Sequence, residues 1–389
     1  MRVLFLAHSF PRHIADPVGS FVLRLAVALR EIDVEVRVVA PSAPGLAALE
    51  TFDGIPVRRF RYAPRPMETL AYAGTMREQV RSSPLAAAAL VGLLGADFAA
   101  TLSSITEFAP TVVHAHWWFP AGVVAMGARA LRDVATVVTM HGSDVRMTQG
   151  SAAAARLFRV VAKHTDRMTA VSSWLARQAA AVAPGSMTVV APMPIETGAF
   201  SPGVRAEDER LLFVGKLNAQ KGVAHLLRAL AQARRTPSLD IIVGVGSDET
   251  ETRRLAAELG LTERIRWHPL LAQSELADLY RAATALVMPS VDEGLGLVAA
   301  EALLCGTPVI AFDSGGVPDI VKHDRTGILV PPGDESALAR AIDALLERPD
   351  RGALLGESGR REVLEKFSPR AVATRYRDVY VEAEAARAR

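Results

Sequence analysis

A chain of 389 residues, half of them hydrophobic and 22% charged, has an ordinary globular balance and is too long for one typical core, so two domains are expected. Its formal net charge of +2 argues against a nucleic-acid binder held by bulk electrostatics. The one cysteine, Cys305, excludes an intramolecular disulfide and a multi-cysteine metal site, and its apolar helical setting marks it as buried filler.

Residues 2–7 read as a first strand rather than a signal peptide, because a single basic residue and a brief apolar run precede His8; a cytoplasmic protein is expected. A polar loop with Gly19 at its end leads to a helix over 21–31, then to a strand over 34–40. Gly19 is either a bare turn residue or a place where backbone meets phosphate. An irregular strand pair is expected over 52–62, around Asp53-Gly54, and a mostly helical segment over 64–104. The apolar stretch 84–102 is expected to be a helix buried between layers rather than a bilayer span, since Asp97 lies inside it.

A strand from 111 carries His114, His116, Trp117 and Trp118 at its carboxyl end, and the strand 136–140 carries His141, Gly142, Ser143 and Asp144. Both deliver polar groups to one sheet edge, where α/β folds bind ligands. His114 and His116 are read as facing opposite sides of their strand, which disfavours a metal pair. His141 is the stronger candidate because Gly142 opens the backbone beside it, although a structural histidine stays open; Asp144 either caps the next turn or contacts a ligand. Helices follow over 156–163 and 174–183, the second capped by Ser172-Ser173, and the proline-rich stretch 191–204 is the linker, with a boundary near Ser201.

The second half restarts with a strand over 210–214 and a loop holding Lys216 and Lys221, each beside a glycine. Lysine is a mobile point charge suited to a diphosphate, and the Walker spacing of an ATPase is absent. Gly244-x-Gly246 is a weak dinucleotide signal without its third glycine. Ser274 is expected to cap a helix over 274–280. The chemistry concentrates after the strand 285–288: Glu293-Gly294-Leu295-Gly296-Leu297 opens a helix that carries Glu301. The glycines admit backbone N–H groups to an anion, while carboxylates suit neutral sugar or ribose hydroxyls. A strand over 309–312, the loop Ser314-Gly315-Gly316, a helix begun by Asp334 and a terminal helix over 369–384 complete the chain.

Gly215-Lys216-Leu217, Lys221-Gly222, Glu293-Gly-Leu-Gly-Leu with Glu301-Ala302, Gly306-x-Pro308 and Gly315-Gly-x-Pro318 stand in one order, and together they resemble the retaining glycosyltransferases of family 4. The resemblance covers nearly the whole chain. It implies the GT-B fold, an α/β architecture of two doubly wound parallel-sheet domains facing an interdomain cleft. Residues 1–200 would form an acceptor-side domain, with 371–389 returning to it, and 201–370 the nucleotide-sugar domain. It implies that Glu293 contacts donor sugar hydroxyls, Glu301 the ribose, Lys216 and Lys221 the diphosphate, and His141 the donor sugar; His141 and Glu293 are the catalytic candidates. Gly19 with Gly294, Leu295, Gly296 and Leu297 completes the donor set, and His116, Trp117 and Asp144 are the acceptor candidates. The pattern departs at Val18, where the family has a first glycine, at Lys216, more often arginine, at Asp319, usually glutamate, and at Pro192-Met-Pro-Ile in the hinge.

The implied reaction needs no metal and no cofactor beyond the donor, a uridine diphosphate sugar by family frequency, with guanosine diphosphate mannose the rival. Partners are that donor and a sugar-containing acceptor such as a glycan, a lipid-linked saccharide or a small metabolite. The pI of about 8.8 permits contact with an anionic membrane surface. A subgroup likeness to bacterial cell-surface polysaccharide enzymes is loose. A nucleotide-sugar epimerase and a non-catalytic nucleotide-sugar binder are the alternatives. Oligomeric state stays open.

Overall fold

A computed structural model describes residues 1–13, 16–186, 188–206, 208–244, 247 and 249–388; the Gly246 of the Gly-x-Gly signal lies outside them. The chain divides into two compact units, one of residues 1–194 with 369–389, the other of 195–368. The division falls inside the proline-rich stretch 191–204.

The first unit opens β1 (Arg2–Ala7), α1 (Ser20–Arg30), β2 (Glu35–Pro41) and the hairpin β3 (Leu49–Phe52) and β4 (Ile55–Phe60). Helices α2 (Met76–Ser82) and α3 (Pro84–Phe108) precede β5 (Val112–His116), α4 (Val123–Leu131) and β6 (Ala135–Met140). Then come α5 (Ser143–Gln149), α6 (Ala152–Lys163), β7 (Arg167–Ala170), α7 (Ser173–Val182) and β8 (Thr188–Val190). Among the described residues the strands form one sheet in the order β3-β4-β2-β1-β5-β6-β7-β8, parallel except for the β3–β4 hairpin. The crossovers run outward in both directions from β1 and β5. A right-handed crossover taken in opposite directions puts its helices on opposite faces, which is why the central strands β5 and β6 are buried at every position.

Helix α3 corrects one expectation. It packs against α2, α4 and the strands β1, β2 and β4 along a single stripe that buries Ala89, Leu93, Asp97, Thr101, Ile105 and Phe108. Leu85 and Val91 on its outer side are 65% and 72% exposed, so the helix is an outer layer and is not sandwiched. Alanine and glycine occupy both faces, and residues that small leave no periodic signal of which face is buried. By length and composition it is long and apolar enough to cross a membrane. The segment before it also differs: residues 64–75 hold only a short 3-10 turn (Arg65–Met67), and helix begins at Met76.

The second unit runs β9 (Arg210–Gly215), α8 (Val223–Gln232), β10 (Ser238–Val243), α9 (Thr250–Glu258), β11 (Ile265–His268) and α10 (Gln273–Ala282). It continues with β12 (Ala285–Met288), α11 (Leu297–Leu304), β13 (Val309–Phe312), α12 (Val317–Ile320), β14 (Gly327–Val330), α13 (Glu335–Glu347) and α14 (Pro349–Phe367). All its strand pairs are parallel, in the order β11-β10-β9-β12-β13-β14. Asp334 caps α13 by accepting from the Ala337 amide at 2.7 Å, and Ser172 caps α7 in the same way. Ser274 does not cap α10: the helix starts a residue earlier, and Glu275 reaches back to the Ala272 amide at 2.9 Å. The last helix, α15 (Pro369–Arg387), belongs to the first unit, where it packs on α1 and β6 and buries Tyr376 and Tyr380.

Candidate active site

In each sheet the strand order reverses at one place, between β1 and β5 in the first and between β9 and β12 in the second. Loops leaving adjacent strands there diverge to opposite faces, and the crevice they leave at the carboxyl ends is where open α/β sheets take ligands. Gly19, His116, Trp117, Lys216, Lys221 and Glu293 lie at or after these strand ends, His141 and Asp144 follow the neighbouring β6, and Glu301 lies on α11.

In the second unit, the loop after β9 carries Lys216 and Lys221 and the loop after β12 carries Glu293. Their backbones are laced together: the Val291 amide donates to Gln220 O at 2.8 Å, the Asp292 amide to Ser314 Oγ at 3.0 Å, and the Gly316 amide to Glu293 O at 2.7 Å. Gly222, the residue before α8, has φ 71°, and a Cβ there would lie 1.9 Å from Pro289 O. Gly315, with φ 63°, would put a Cβ 2.5 Å from the Glu293 amide nitrogen. Both positions therefore require glycine for conformation and for space. Lys221 Nζ donates to Glu293 Oε2 at 2.5 Å, with 24% and 17% of the two side chains exposed. Lys216 is exposed at the same edge. Gly296 sits at the N-terminus of α11 in the left-handed region, between Gly294-Leu295 and Leu297, the first residue of that helix. Glu301 projects from α11 and accepts from the Tyr280 hydroxyl at 3.0 Å. Burial and the adjacent Glu301 carboxylate hold the Tyr280 hydroxyl well above its usual pKa, so it remains a hydrogen-bond donor. Ion pair, glycines and Glu301 thus meet on one edge from segments far apart in sequence.

In the first unit, β5 and β6 end in a histidine cluster. His114 and His116 do not face opposite sides. Residues two apart on a strand share a face, and their rings lie 4.2 Å apart between centroids. His114 bonds Tyr380 Oη at 2.9 Å and Thr139 Oγ1 at 2.6 Å, and Thr139 bonds Thr169 at 2.5 Å. His116 Nδ1 lies 3.2 Å from His141 Nε2. Desolvation lowers the pKa of His8 to about 4 and those of His114, His116 and His141 well below the ordinary value, with neighbouring imidazoles adding to the effect for the last three. These imidazoles are neutral at pH 7.

The acceptor candidates separate. Trp117 and Asp144 line a cavity of about 860 Å³, together with His8, Tyr72, Arg77, Arg81 and Arg146. His116 is fully buried and does not line it; its Nδ1 lies 3.2 Å from His141 Nε2. Trp118 is core, with its indole N–H donating to Asp144 O at 2.7 Å. The Asp144 carboxylate accepts from the amides of Trp118, His141, Gly142 and Val145 at 2.9–3.2 Å. Burial pushes its pKa up against the pull of those amides. Its work is to fix the loop that presents His141. Gly19 precedes α1 with φ 73°, and a Cβ there would lie 2.3 Å from Ser9 O, so the turn itself demands glycine. His8 was not singled out from the sequence, although it ends β1 as His116 ends β5. The arginines were equally missed; their signal was the one-turn spacing of Arg77 and Arg81.

Residues 18–194 match the family described as glycosyl transferase 4-like domain, and residues 195–362 match glycosyl transferases group 1. D-inositol 3-phosphate glycosyltransferase 1 of Catenulispora acidiphila is 33% identical, the match covering 82% of this chain and 79% of that protein. Alpha-maltose-1-phosphate synthase of Mycolicibacterium smegmatis is 28% identical over 98% of this chain and 99% of its own length. Among solved structures, sucrose-phosphate synthase from Thermosynechococcus elongatus aligns with a TM-score of 0.81 at 24% identity, covering 99% of both chains. HepE of Anabaena in complex with UDP-glucose aligns with a TM-score of 0.73 at 19% identity, over 98% of this chain and 99% of that one. Two parallel doubly wound sheets of this kind are the fold of the GT-B glycosyltransferases. The chain belongs to glycosyltransferase family 4. It is a transferase enzyme that works with a nucleotide-sugar donor.

Proposed function

We propose that this enzyme moves a hexose, with retention at the anomeric carbon and without a metal ion, from a nucleoside diphosphate sugar to an acceptor hydroxyl. The observation that carries the reading is the convergence of Lys216, Lys221, Glu293 and Glu301 at the β9–β12 edge. A leaving diphosphate must be neutralised, and two lysines with the amides at the N-terminus of α11 are suited to that. Carboxylates repel a phosphate, so Glu293 and Glu301 serve its neighbours: the sugar hydroxyls and the ribose hydroxyls respectively. Tyr280 orients Glu301 from behind. Gly294, Leu295 and Leu297 supply backbone along this edge, and Gly19 supplies it from the first unit. His141, neutral and held by His116 and the Asp144 loop, hydrogen-bonds the transferred sugar.

A uridine diphosphate sugar is the proposed donor, in keeping with the UDP-glucose named for HepE, and guanosine diphosphate mannose is the rival. The second unit is the donor domain and the first the acceptor domain. The test is incubation with a panel of nucleotide sugars, with and without EDTA and without acceptor. Slow nucleotide release that EDTA leaves unchanged is expected. Rapid isomerisation of the sugar would mean an epimerase, and binding with neither outcome a non-catalytic binder. Loss of release on chelation would overturn metal independence.

A further inference from the structure

We propose that His116 is a positioning residue that sets the tautomer of His141: its Nδ1–H donates to His141 Nε2, which leaves His141 an Nδ1–H to offer the transferred sugar. The last step rests on the reading that His141 meets that sugar; the tautomer does not.

The geometry is that of one hydrogen bond between two ring edges. His116 Nδ1 and His141 Nε2 are 3.2 Å apart. The ring centroids are 5.4 Å apart, and the planes are tilted by 29°. That separation is the nitrogen–nitrogen distance extended by the two ring radii, so the nitrogens point at each other and the faces do not overlap. Phe21 and Trp117 also pack against His141, at 5.0 and 4.6 Å between centroids. Trp117 does so from a backbone φ of 69°, a region sparsely populated by aromatic residues. The imidazole is thus held by rings, and its one hydrogen bond to another side chain is to His116.

Only one proton fits between the two nitrogens. Desolvation and neighbouring imidazoles keep both rings neutral, with one N–H each. His116 is fully buried, and its Nε2 meets no hydrogen-bond partner among the described residues. Buried N–H groups without an acceptor are rarer in folded proteins than acceptors with a lone pair unused. The proton of His116 therefore sits on Nδ1 and the bare lone pair on Nε2. His141 Nε2 accepts, so the proton of His141 belongs on Nδ1. His114, 4.2 Å from His116 between centroids, differs in having both nitrogens bonded, to Tyr380 and Thr139, and so belongs to the scaffold. His141 is partly exposed. Through Nδ1–H it donates to an oxygen and takes no proton from one.

Long-range proton–nitrogen NMR correlation of the full chain, labelled with nitrogen-15 in its nine histidines, reads the tautomers directly. The His141 signals are identified by their absence in His141→Gln. Wild-type His141 and His116 are both expected to be protonated on Nδ1. In His116→Ala, His141 should shift toward the Nε2–H form that free imidazole side chains favour, and turnover should fall about 10-fold. His116→Asn, whose amide N–H stands near the place of Nδ1–H, should restore the Nδ1–H form and most of the turnover. A role in packing alone would lower the melting temperature of His116→Ala and leave the tautomer unchanged, and that result overturns the proposal. So does a wild-type His141 protonated on Nε2, a measurement that stands even where His116→Ala does not fold. Unaltered turnover in His141→Gln would instead refute the contact between His141 and the sugar, with the tautomer assignment intact.

Discussion

Replacing Lys221 with alanine removes two things at once, and a second substitution separates them. The lysine ammonium is 2.5 Å from the Glu293 carboxylate on a partly shielded edge. Loss of a preorganised cationic donor to a leaving diphosphate costs about 3–4 kcal/mol, so kcat should fall about 10²- to 10³-fold. The variant also leaves Glu293 without its counter-charge. A carboxylate about 5 Å from a phosphate repels it by about 3 kcal/mol at an effective dielectric constant of about 20, so nucleotide affinity should fall as well. Lys221→Ala with Glu293→Gln removes that repulsion. The double variant should recover most of the nucleotide affinity while kcat stays low, and Glu293→Gln alone should bind UDP more tightly yet turn over more slowly. Steady-state kinetics and UDP titration of the four proteins read both quantities. Wild-type turnover in Lys221→Ala would refute the role of the lysine. Equal UDP affinity in Lys221→Ala and the double variant would refute the charge-exchange argument.

Three further outcomes are expected. Gly315→Ala places a methyl against the Glu293 backbone in a left-handed conformation, so it should displace Glu293 and lower both melting temperature and donor affinity; an unchanged thermal-shift response to UDP would contradict this. Asp97, buried on α3, is pushed up to about 7 by desolvation, so the folded state holds a proton that the unfolded chain releases near pH 4. The Asp97 contribution to stability should thus fall as pH rises from about 4 to 7, by up to about 4 kcal/mol, and Asp97→Asn should raise the melting temperature at pH 8 more than at pH 4. His8, His114, His116 and His141 act in the opposite sense: their folded pKa values are depressed, so the unfolded chain takes up more protons below pH 6.5 and stability should drop there, by up to about 1.4 kcal/mol per pH unit for each histidine. Denaturant melts of wild type and His114→Gln between pH 5 and 7 measure this, and a wild-type curve flat across that range would refute it.

The strands and their ends were open to sequence reasoning because each is a short apolar run closed by proline, glycine or a polar cluster. Residues 2–7, 285–288 and 309–312 fold with the limits their composition indicates. The glycines were legible for the same reason, since Gly222 and Gly315 mark left-handed turns where backbones approach closely. What escaped was tertiary. Lys221 and Glu293 are 72 residues apart, and no local pattern announces that they pair. His114 and His116 were separated by a mistaken parity, although their spacing of two already placed them on one face. Alanine-rich α3 hid its orientation because burial on one side is not written in residues that suit either side. Ser274 looked like a cap, but the helix took Glu275 as its anchor and began earlier.

The return of α15 to the first unit has a consequence for how this protein is made. Tyr380 holds His114, and Tyr376 donates to the Ala191 carbonyl at 2.9 Å, so the histidine cluster is closed from behind by a segment translated after the whole of residues 195–368. A ribosome therefore releases the second unit as a continuous stretch that can fold while synthesis continues, whereas the first waits with an open polar seam. Chaperone dependence in the cell should track the dwell time of that unfinished half.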